Sequence, residues 1–557
     1  MKIYFKHEIK LGERVSSKEI VDLLLKERGI TDVAEFLTPK SPLELDIRDF
    51  DKTYKKQMDH VLKLLETIYE KQQMVVVYTD YDADGVTGGA ILWETLHLLG
   101  FKAMPYVPHR VHEGYGFSIK GIENVKKEFD PALIISVDHG ITAREKIAHA
   151  QSLGIPVVVT DHHMKPELIP DKAEAIFHIP LLSGSGVSYF FSKAIYDHFK
   201  TKIDPAQALP ISMYFQYDYQ ALAAIGTVAD LVPLVGPSRS LVYHGLSAFA
   251  HMKRYGILEI LKSAGYENRV VTPYEIGFII APRINAIGRL EHALDALRLL
   301  CTTDPDRART LATRIGDKNT LRQDLVKTAI DQAYKMMKKE YGTTIPKLIV
   351  LKSDQWHEGI IGLIASKIVE KYFRPVIIMT KTDGHYKGSA RSIPAFHMTK
   401  FLTSHRDMLV DMGGHAQAAG FTVTQQNTDA FVKAAQAAAE LQIQESDLEK
   451  IIEADLKIPL SYLNLDLAHT IQSLAPFGIG NPQPVFVSDT EIKNPTTMGK
   501  TRDHLKFFSD HGIEFVCFGK GELCKELKPG EVREVVYKLE INNWNGQQRL
   551  QGKIIHM

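Results

Sequence analysis

The sequence predicts an α/β protein: a parallel sheet joined by a long helix to a smaller α/β domain, and then a C-terminal β-barrel. Short β-branched runs, MVVVYTD, ALIISVDHG and PVVVTDHH, alternate with helical stretches. This alternation is typical of βαβ units. Residues 281–345 form a long, charged helical pattern with few turn signals, and a second α/β pattern begins at PKLIVLKSD. The final segment contains several short predicted strands separated by Gly and Asn turns, which favours a small barrel.

The chain has 557 residues. At roughly 100–200 residues per domain, this length suggests about three or four domains. VDLLLKERGI and MDHVLKLLETIYE carry apolar residues at helical spacing, so the beginning of the chain is predicted to be helical. The predicted segments are an N-terminal helical segment 1–70, a parallel-sheet domain 71–280, a helical linker 281–345, a second α/β domain 346–440 and a barrel-containing region 441–557.

The composition excludes several classes of protein. Lys and Arg together equal Asp and Glu at 67 each, so a polybasic, histone-like protein is excluded. Neutrality does not exclude a nucleic-acid partner, because the distribution of charge matters. Residues 71–250 hold 14 basic against 18 acidic side chains, whereas residues 281–420 hold 22 against 14. The 3 cysteines form no CxxC pair, and no signal-peptide core or apolar run of membrane length is seen, so we expect a cytoplasmic protein.

Acidic and histidine side chains follow four apolar runs. Each run is predicted to be a strand, including ALAAIGTVADL, and parallel strands bring their carboxyl ends to one edge. Taken singly, these residues also fit an acidic turn, helix N-caps or solvated histidines. Together they predict a shared site made of Asp80, Asp82, Asp84, Asp138, Asp161, His162, His163 and Asp230.

The residue types in this predicted site indicate a metal centre. Oxygen and nitrogen ligands without cysteine suit Mn²⁺ or Mg²⁺, and histidine favours Mn²⁺. The number of ligands exceeds what one octahedral ion that also keeps waters would take. It suits two divalent ions that share a carboxylate and lie about 3.5–4 Å apart, an arrangement used in phosphoryl displacement.

The motifs YTDYDADGVT, VDHG, TDHH and GTVADLVPL resemble motifs I to IV of the DHH phosphoesterases. Six later segments resemble, in order, those of the bacterial single-strand-specific exonucleases within that superfamily: APRINAIGRL, WHEGIIGLIASKI, RPVIIM, GSARSIPAFH, GGHAQAAGF and PFGIGNPQPVF. The resemblance covers about residues 75–490. It implies a DHH catalytic domain, a linking helix, a DHH-associated substrate-binding domain and an OB-fold.

The resemblance also implies roles for individual residues. Asp138 would bridge the two metals, Asp161 would orient a histidine, and His163 would donate a proton to the scissile phosphate or the leaving oxygen. A histidine of the pyrophosphatase relatives is replaced by Tyr78, and Asp80 is expected to substitute for it. The implied metal ligands are Asp80, Asp82, Asp84, Asp138, His162 and Asp230.

Basic and glycine-containing segments are candidates for holding phosphates, because arginine offers a two-pronged donor and glycine admits backbone N–H groups. Singly, each residue also fits a solvated arginine or a turn. We hypothesise that Ser389, Arg391 and Arg283 fix a 5′-terminal phosphate. In the barrel, Lys500, Arg502, Lys506 and Phe507 are candidates for single-strand contacts. The complete predicted substrate-binding set is Arg110, Arg283, Asn285, Arg289, Ser389, Arg391, Gly414 and His415.

The sequence therefore predicts a two-metal exonuclease that degrades single-stranded DNA from the 5′ end to mononucleotides in repair and recombination. One alternative is a phosphodiesterase for short oligonucleotides or cyclic dinucleotides, whose relatives are shorter and lack the OB-fold. Another is a non-catalytic nucleic-acid-binding scaffold, which predicts eroded metal ligands. The resemblance implies a monomer whose partners are 5′-phosphorylated single strands, a single-strand-binding protein and a RecQ-type helicase, with no membrane association.

Overall fold

The computed structural model describes residues 2–110, 112–267, 270–382, 384–544 and 546–557. The chain divides into two compact units. The smaller unit contains residues 317–452 and the first four residues, and the larger contains residues 5–316 and 453–557.

The larger unit contains a five-stranded parallel sheet whose strands are β2 Val75–Thr79, β3 Ala103–Tyr106, β4 Leu133–Val137, β5 Val157–Asp161 and β6 Ala175–His178. The strands lie in the order β3-β2-β4-β5-β6, and every pairing is parallel. All residues of β2, β4 and β5 are buried, as expected for a parallel sheet with both faces covered. The predicted parallel sheet is confirmed, and the carboxyl ends of β2, β4 and β5 are neighbours.

Helices surround this sheet and continue beyond it. The last three before the second α/β segment are α13 Ala281–Leu290, α14 Leu294–Cys301 and the long α15 Pro305–Tyr341. The others are α3 Tyr54–Glu70, α4 Ala83–Leu98, α5 Ile119–Phe129, α6 Arg144–Ser152, α7 Gly184–Phe199, α8 Pro205–Gln216, α9 Asp218–Ala229, α10 Gly236–Ala248, α11 Tyr255–Ser263 and α12 Pro273–Glu275.

The fourth predicted strand is wrong. The run ALAAIGTVA belongs to helix α9, so Asp230 caps a helix and does not follow a strand. Nearly every side of α9 is buried, which removes the polar positions that would reveal a helical period. A short, continuously apolar run cannot be assigned by periodicity alone, and here the alanines favour a helix.

The larger unit also carries most of a mixed eight-stranded sheet, consistent with the predicted C-terminal barrel. Its strands are β1 Lys2–Glu8, β12 Ile451–Lys457, β13 Val485–Glu491, β14 Lys493–Met498, β15 His504–Phe508, β16 Glu514–Cys517, β17 Val532–Trp544 and β18 Gln547–His556. Their order is β1-β12-β13-β17-β18-β16-β15-β14. Its core also includes apolar residues of α1 Ser17–Glu27, α2 Val33–Leu37 and α19 Leu465–Gln472.

The N-terminal segment is not uniformly helical, contrary to the prediction. Residues 2–8 form β1, whose alternating half-buried and exposed side chains have the two-residue period of a strand. The helices predicted from VDLLLKERGI and MDHVLKLLETIYE are present as α1 and α3. The run IYF is rich in aromatic and β-branched residues, which favour a strand, and this is the signal that the helical prediction missed.

The smaller unit contains a second sheet of five strands, with β7 Ile349–Lys352, β8 Val376–Thr382, β9 His385–Arg391, β10 Asp411–Gly414 and β11 Ala418–Thr424. The order is β10-β11-β9-β8-β7, in which only the β7–β8 pairing is parallel among the described strands. Its helices are α16 Ile361–Tyr372, α17 Met398–Thr403 and α18 Thr428–Gln442.

One buried arginine ties three segments of the larger unit together. The guanidinium of Arg239, on α10, donates hydrogen bonds to the carbonyl oxygens of Phe36 at 2.6 Å, Leu474 at 3.1 Å and Ala475 at 2.9 Å. A buried polar group is costly unless it is hydrogen-bonded, so these contacts favour one arrangement of the segments. Arg239 therefore fixes the N-terminal helices and the loop before β13 against the helices of the parallel-sheet domain.

Candidate metal centre

The first acidic motif lies between the end of β2 and the first turn of α4. Asp82 is the N-cap of α4, and its Oδ1 accepts hydrogen bonds from the backbone N–H groups of Asp84 at 2.9 Å and Gly85 at 3.1 Å. A Cβ at Gly85 would lie 2.8 Å from the backbone of Asp80, so only glycine permits this tight turn. The turn brings all three carboxylates of the motif to the same strand end.

Asp84 is held by the beginning of another helix. Its Oδ2 accepts a hydrogen bond from Gly184 N at 2.6 Å, and its Oδ1 accepts one from Ser185 N at 2.9 Å. These N–H groups begin α7 and carry the partial positive charge of a helix N-terminus. A Cβ at Gly184 would lie 2.4 Å from Asp138 Cβ, so this glycine permits the close approach of α7 to the site.

Asp138 occupies the centre of the site. It follows β4 with a left-handed φ of 67°, and its carboxylate is almost fully buried. Asp138 Oδ1 lies 3.1 Å from His162 Nε2 and 3.9 Å from His163 Nδ1. Neither Asp138 Oδ1 nor His162 Nε2 has a hydrogen-bond partner of acceptable geometry within the described residues, although both atoms are buried.

Asp161, at the end of β5, orients the histidine beside it. Its Oδ1 lies 2.8 Å from His163 Nδ1 and accepts hydrogen bonds from the backbone N–H groups of His162 and His163, while its Oδ2 accepts one from Ile141 N at 2.8 Å. A carboxylate that accepts this many donors is fixed in position. The orienting role predicted for Asp161 is consistent with these contacts.

Asp230 reaches the cluster from the end of α9, despite the error in predicting its secondary structure. Its Oδ2 lies 3.5 Å from His162 Nε2, and Asp84 Oδ2 lies 3.8 Å from the same nitrogen. The helix therefore delivers the fourth-motif carboxylate to the same strand ends.

The predicted ligands form three overlapping groups whose ligand atoms lie within 4.8 Å of one another: Asp80, Asp82 and Asp138; Asp84, His162 and Asp230; and Asp138, His162 and His163. Asp138 belongs to two groups, as a bridging carboxylate should. The buried atoms Asp80 Oδ1, Asp138 Oδ1 and His162 Nε2, which have no hydrogen-bond partner among the described residues, all belong to this cluster. Unpaired buried polar atoms are costly, and divalent cations would satisfy them.

The buried carboxylates repel one another, and this repulsion raises their pKa values. Burial and then the charge of Asp84 raise the pKa of Asp230 to about 8. Burial and the neighbouring carboxylates also hold the pKa of Asp80, Asp82 and Asp138 above the ordinary range. Without cations the cluster therefore resists full ionisation, whereas bound cations would favour it.

In contrast to the carboxylates, His163 is stabilised in its charged form. Burial alone would lower its pKa, but the hydrogen bond and negative charge of Asp161 outweigh burial and raise the pKa to about 9. Those same contacts hold the pKa of Asp161 below its ordinary range despite its burial. At neutral pH His163 is consequently an imidazolium, which can act as a proton donor.

Two further residues that the sequence analysis did not identify border the cluster. The Tyr115 hydroxyl lies 2.9 Å from His163 Nε2 and donates a hydrogen bond to the Asp138 carbonyl oxygen at 3.1 Å. His178 Nε2 donates to the His163 carbonyl oxygen at 2.6 Å.

Tyr78, which replaces a ligand of the pyrophosphatase relatives, packs against Phe117 with ring centroids 4.8 Å apart, and Asp80 supplies the carboxylate at this strand end.

The predicted substrate residues in the larger unit lie beside the first acidic motif. The Arg110 guanidinium stands 5.0 Å from the ring centroid of Tyr81. Asn285 Oδ1 accepts a hydrogen bond from Ala83 N at 2.8 Å, so this amide holds the turn in place. Arg283 donates to the carbonyl oxygen of Ile279, in the π-helical turn Ile276–Ile280 that precedes α13, at 2.9 Å. Burial and then the charge of Asp80 raise the pKa of Tyr81, and the positive charges of Arg110 and then Arg289 oppose that rise.

Two of the predicted residues in the smaller unit meet at the beginning of α16. Arg391 Nη1 donates a hydrogen bond to Ser389 Oγ at 3.1 Å. A Cβ at Gly362, in the first turn of α16, would lie 2.9 Å from Arg391 Nη2 and 3.0 Å from Ser389 Oγ. A guanidinium, a hydroxyl and a helix N-terminus are thus brought together, and each favours a phosphate.

The other two residues of that set form a turn. Gly414 has a φ of 141°, and a Cβ there would lie 2.4 Å from the Ala418 carbonyl oxygen. His415 N donates to the same oxygen at 2.7 Å, which closes the turn between β10 and β11.

In the barrel, the expectation for Phe507 is wrong, because its ring is fully buried against Phe515 and cannot stack on a base.

Comparison with known proteins identifies three domain families along the chain. Residues 74–226 match the DHH family N-terminal domain, residues 346–452 the DHHA1 domain and residues 454–556 the RecJ OB domain. No helix within the described residues combines the length and apolar character needed to cross a membrane.

Curated relatives match over nearly the whole chain. The single-stranded-DNA-specific exonuclease RecJ of Haemophilus influenzae is 30% identical over 99% of this chain and 98% of its own length. RecJ of Bacillus subtilis is 32% identical over 97% of this chain and 68% of its length. Among solved structures, RecJ from Thermus thermophilus in complex with Mn²⁺ has a TM-score of 0.81 and 27% identity, covering 100% of this chain and 79% of that one.

Proposed function

The chain belongs to the RecJ family of single-stranded-DNA-specific exonucleases, and we propose on this basis that it is a metal-dependent exonuclease that hydrolyses single-stranded DNA. In finer detail, we propose that it works from the 5′ end, releases mononucleotides and serves DNA repair and recombination. The observation that carries the proposal is the cluster around Asp138, in which the ligand types required for two divalent ions are all present.

The ligand set favours hydrolysis over a purely structural role. Asp80, Asp82 and Asp138 would hold one ion, and Asp84, His162 and Asp230 the other. Asp138 Oδ1 also lies 3.1 Å from His162 Nε2 of the second group, so we propose that this carboxylate would serve both. When bound, Mn²⁺ or Mg²⁺ ions supply a polarised water and neutralise charge on the phosphodiester. A scaffold without activity would have no need to retain every one of these side chains.

The residues around the cluster prepare it for proton transfer. Asp161 fixes the His163 imidazole through Nδ1, and the raised pKa keeps that ring protonated at neutral pH. His163 Nε2 faces the Tyr115 hydroxyl in the structure, so the Nε2 proton is the one available to a substrate oxygen. We propose that His163 gives this proton to the leaving 3′-oxygen or to a phosphoryl oxygen as the bond to phosphorus breaks.

The 5′ polarity is proposed to depend on the phosphate cradle, meaning Ser389, Arg391 and the first turn of α16. Its donors match a terminal phosphate, which carries more charge than an internal phosphodiester. Arg283 remains part of the predicted 5′-phosphate set. We further propose that the protein is a cytoplasmic monomer that cooperates with a single-strand-binding protein and a RecQ-type helicase.

The proposal can be tested by digestion of long single-stranded and double-stranded DNA, each with Mn²⁺ or with a chelator. We expect mononucleotides from single strands alone, and only with metal. The matched variants are Asp138→Asn, which should be inactive, and the exposed Asp489→Asn, which should behave as wild type. Hydrolysis confined to short oligonucleotides or cyclic dinucleotides would favour the phosphodiesterase alternative, and binding without hydrolysis would favour the scaffold.

A further inference from the structure

Three buried hydroxyl groups join two helices beside the metal centre. Ser183, Ser185 and Thr227 are fully buried, and Ser183 Oγ lies 2.9 Å from Ser185 Oγ and 3.1 Å from Thr227 Oγ1. Ser183 is the N-cap of α7, Ser185 lies in its first turn, and Thr227 lies near the end of α9. The three hydroxyl groups, called here the hydroxyl bridge, have no part in the catalytic scheme above.

The hydrogen bonds of the hydroxyl bridge form a connected network. Thr227 Oγ1 donates to the Ala223 carbonyl oxygen at 2.7 Å, so it acts as the acceptor in its contact with Ser183. Ser183 Oγ also accepts from Gly186 N at 3.1 Å, and Ser185 Oγ donates to the Ala223 carbonyl oxygen at 3.3 Å. Buried polar groups are costly unless they are hydrogen-bonded, so a satisfied network favours one arrangement of its parts. The bridge therefore fixes the beginning of α7 against the end of α9.

The beginning of α7 holds one of the predicted metal ligands. The N–H groups of Gly184 and Ser185 donate to the two carboxylate oxygens of Asp84, at 2.6 Å and 2.9 Å. Ser183 immediately precedes these two donors, and its side chain caps the same helix. A shift in the beginning of α7 would consequently move the Asp84 carboxylate.

The end of α9 carries another predicted ligand. Thr227 lies about one helical turn before Asp230. A Cβ at the neighbouring Gly226 would collide with Asp84 Oδ1, so α9 approaches that carboxylate as closely as its backbone allows. Asp84 and Asp230 each have a carboxylate oxygen within 4 Å of His162 Nε2, at 3.8 Å and 3.5 Å. The separation of these two carboxylates thus depends on how α7 and α9 pack.

We propose that the hydroxyl bridge is a positioning element that sets the separation of the Asp84 and Asp230 carboxylates. It would thereby set the affinity for the divalent ion that these two residues and His162 would hold. The inference rests on the proposed function. Metal–ligand distances are defined to within ~0.2 Å, so a small displacement of one helix would weaken this ion. Asp82 is held by N–H groups of its own turn, so the ion beside it should be much less sensitive to the bridge.

The test is a calorimetric titration of the metal-free protein with Mn²⁺, in the wild type and in Thr227→Val, which replaces the hydroxyl with a methyl group. Loss of a group that orients a metal ligand costs about 10–100-fold in metal affinity. The Kd of one ion should rise by that factor, and the Kd of the other should stay the same. Thr227→Ser keeps the hydroxyl and should restore the affinity.

Thr95→Val is the matched control. Thr95 is fully buried near the other end of α4, and its hydroxyl donates to the Ile91 carbonyl oxygen at 2.7 Å, the same bond that Thr227 makes to Ala223. Loss of a buried threonine hydroxyl is therefore matched, and only the connection to the ligands differs. Both Mn²⁺ affinities should be unchanged in this control.

Two further variants make the test independent of Thr227→Val alone. Ser183→Gly removes the central hydroxyl of the bridge while keeping a residue that helix N-caps tolerate, and it should weaken the same ion. Thr227→Val should weaken that ion less in an Asp230→Asn background than in the wild type, because one of the positioned carboxylates is then absent. Fully additive losses would indicate that the bridge does not act through Asp230.

Unchanged affinities in Thr227→Val and Ser183→Gly, equal weakening of both ions, or the same loss in Thr95→Val would overturn the inference. The titration contains no DNA, so its failure is distinguishable from failure of the proposed function. A wild type that binds two Mn²⁺ ions but leaves single strands intact would refute only the proposed function. Full activity and wild-type Mn²⁺ affinities in Thr227→Val would refute only the positioning role of the bridge.

Discussion

His162 Nε2 lies 3.1 Å from Asp138 Oδ1, yet the two buried atoms share no hydrogen bond of acceptable geometry. Each atom also lies close to ligand atoms of other carboxylates in the cluster. Asp138 belongs to two of the three ligand groups, and its carboxylate lies against the histidine of the third. Its loss should therefore affect both proposed ions at once.

Asp138→Asn should lower exonuclease activity by about a hundredfold or more, because even residues outside the ligand sphere of a metal cost 10–100-fold. The same variant should raise the melting temperature of the metal-free protein, since a neutral amide avoids the cost of protonating or ionising a carboxyl that burial and its neighbours disfavour as an anion. Activity assays and thermal melts in chelator measure the two effects. An inactive variant that is also less stable without metal would indicate damage to the fold.

Metal binding should stabilise the protein more at high pH than at low pH. Asp230 has a folded-state pKa of about 8, above its unfolded value near 4, so its favourable contribution is complete below pH ~4 and is lost as the pH rises toward 8. The metal-free protein should thus lose stability over that range, and cations should restore it. Melts at pH 5, 6.5 and 8 with chelator or Mn²⁺ measure this, and a pH-independent metal effect would contradict it.

Asp161→Asn should reduce activity by about 10²–10⁴-fold, the usual contribution of a positioned proton donor. The raised pKa of His163 depends on Asp161, so the activity of the variant should also fall at a lower pH than that of the wild type. Wild-type activity should therefore persist to a higher pH than that of Asp161→Asn. His163→Gln is the matched control, because it removes the titrating ring and should abolish this difference in the pH profile.

Arg391→Ala should weaken the preference for 5′-phosphorylated over 5′-hydroxyl strands about tenfold or more, because a charge-assisted hydrogen bond is worth ~1.5–3 kcal/mol. Lys367→Ala removes a positive charge from the exposed side of α16 and should leave the preference intact. Competition between the two kinds of 5′ end in one digestion gives the ratio. An unchanged ratio in Arg391→Ala would contradict the proposal that the phosphate cradle binds the 5′-terminal phosphate.

Much of the site could be predicted because its ligands follow recognisable elements. Asp138 and Asp161 sit at the ends of Val- and Ile-rich strands, and parallel pairing necessarily brings such ends together. The sequence misled at Asp230, where a helix buried on most sides has no amphipathic period. The predicted exposure of Phe507 was also wrong. Alternate residues of a barrel strand face the core, and the sequence did not show which set of alternate residues in β15 faces inward.

Other contributors were not predictable from the sequence for a different reason. Gly184 and Ser185 act through backbone N–H groups on a carboxylate about a hundred residues earlier. Tyr115 acts through a loop that approaches His163 only in the folded chain. Such contacts leave no residue type or spacing in the sequence that distinguishes them from ordinary turns, and tertiary packing alone creates them.

The most direct test of the central claim is an anomalous difference map from crystals of this protein grown with Mn²⁺. We predict two peaks about 3.5–4 Å apart, with the Asp138 carboxylate between them. Asp80 and Asp82 should adjoin one peak, and Asp84, His162 and Asp230 the other. A single peak at this site, or two peaks of which only one touches Asp138, would contradict the account.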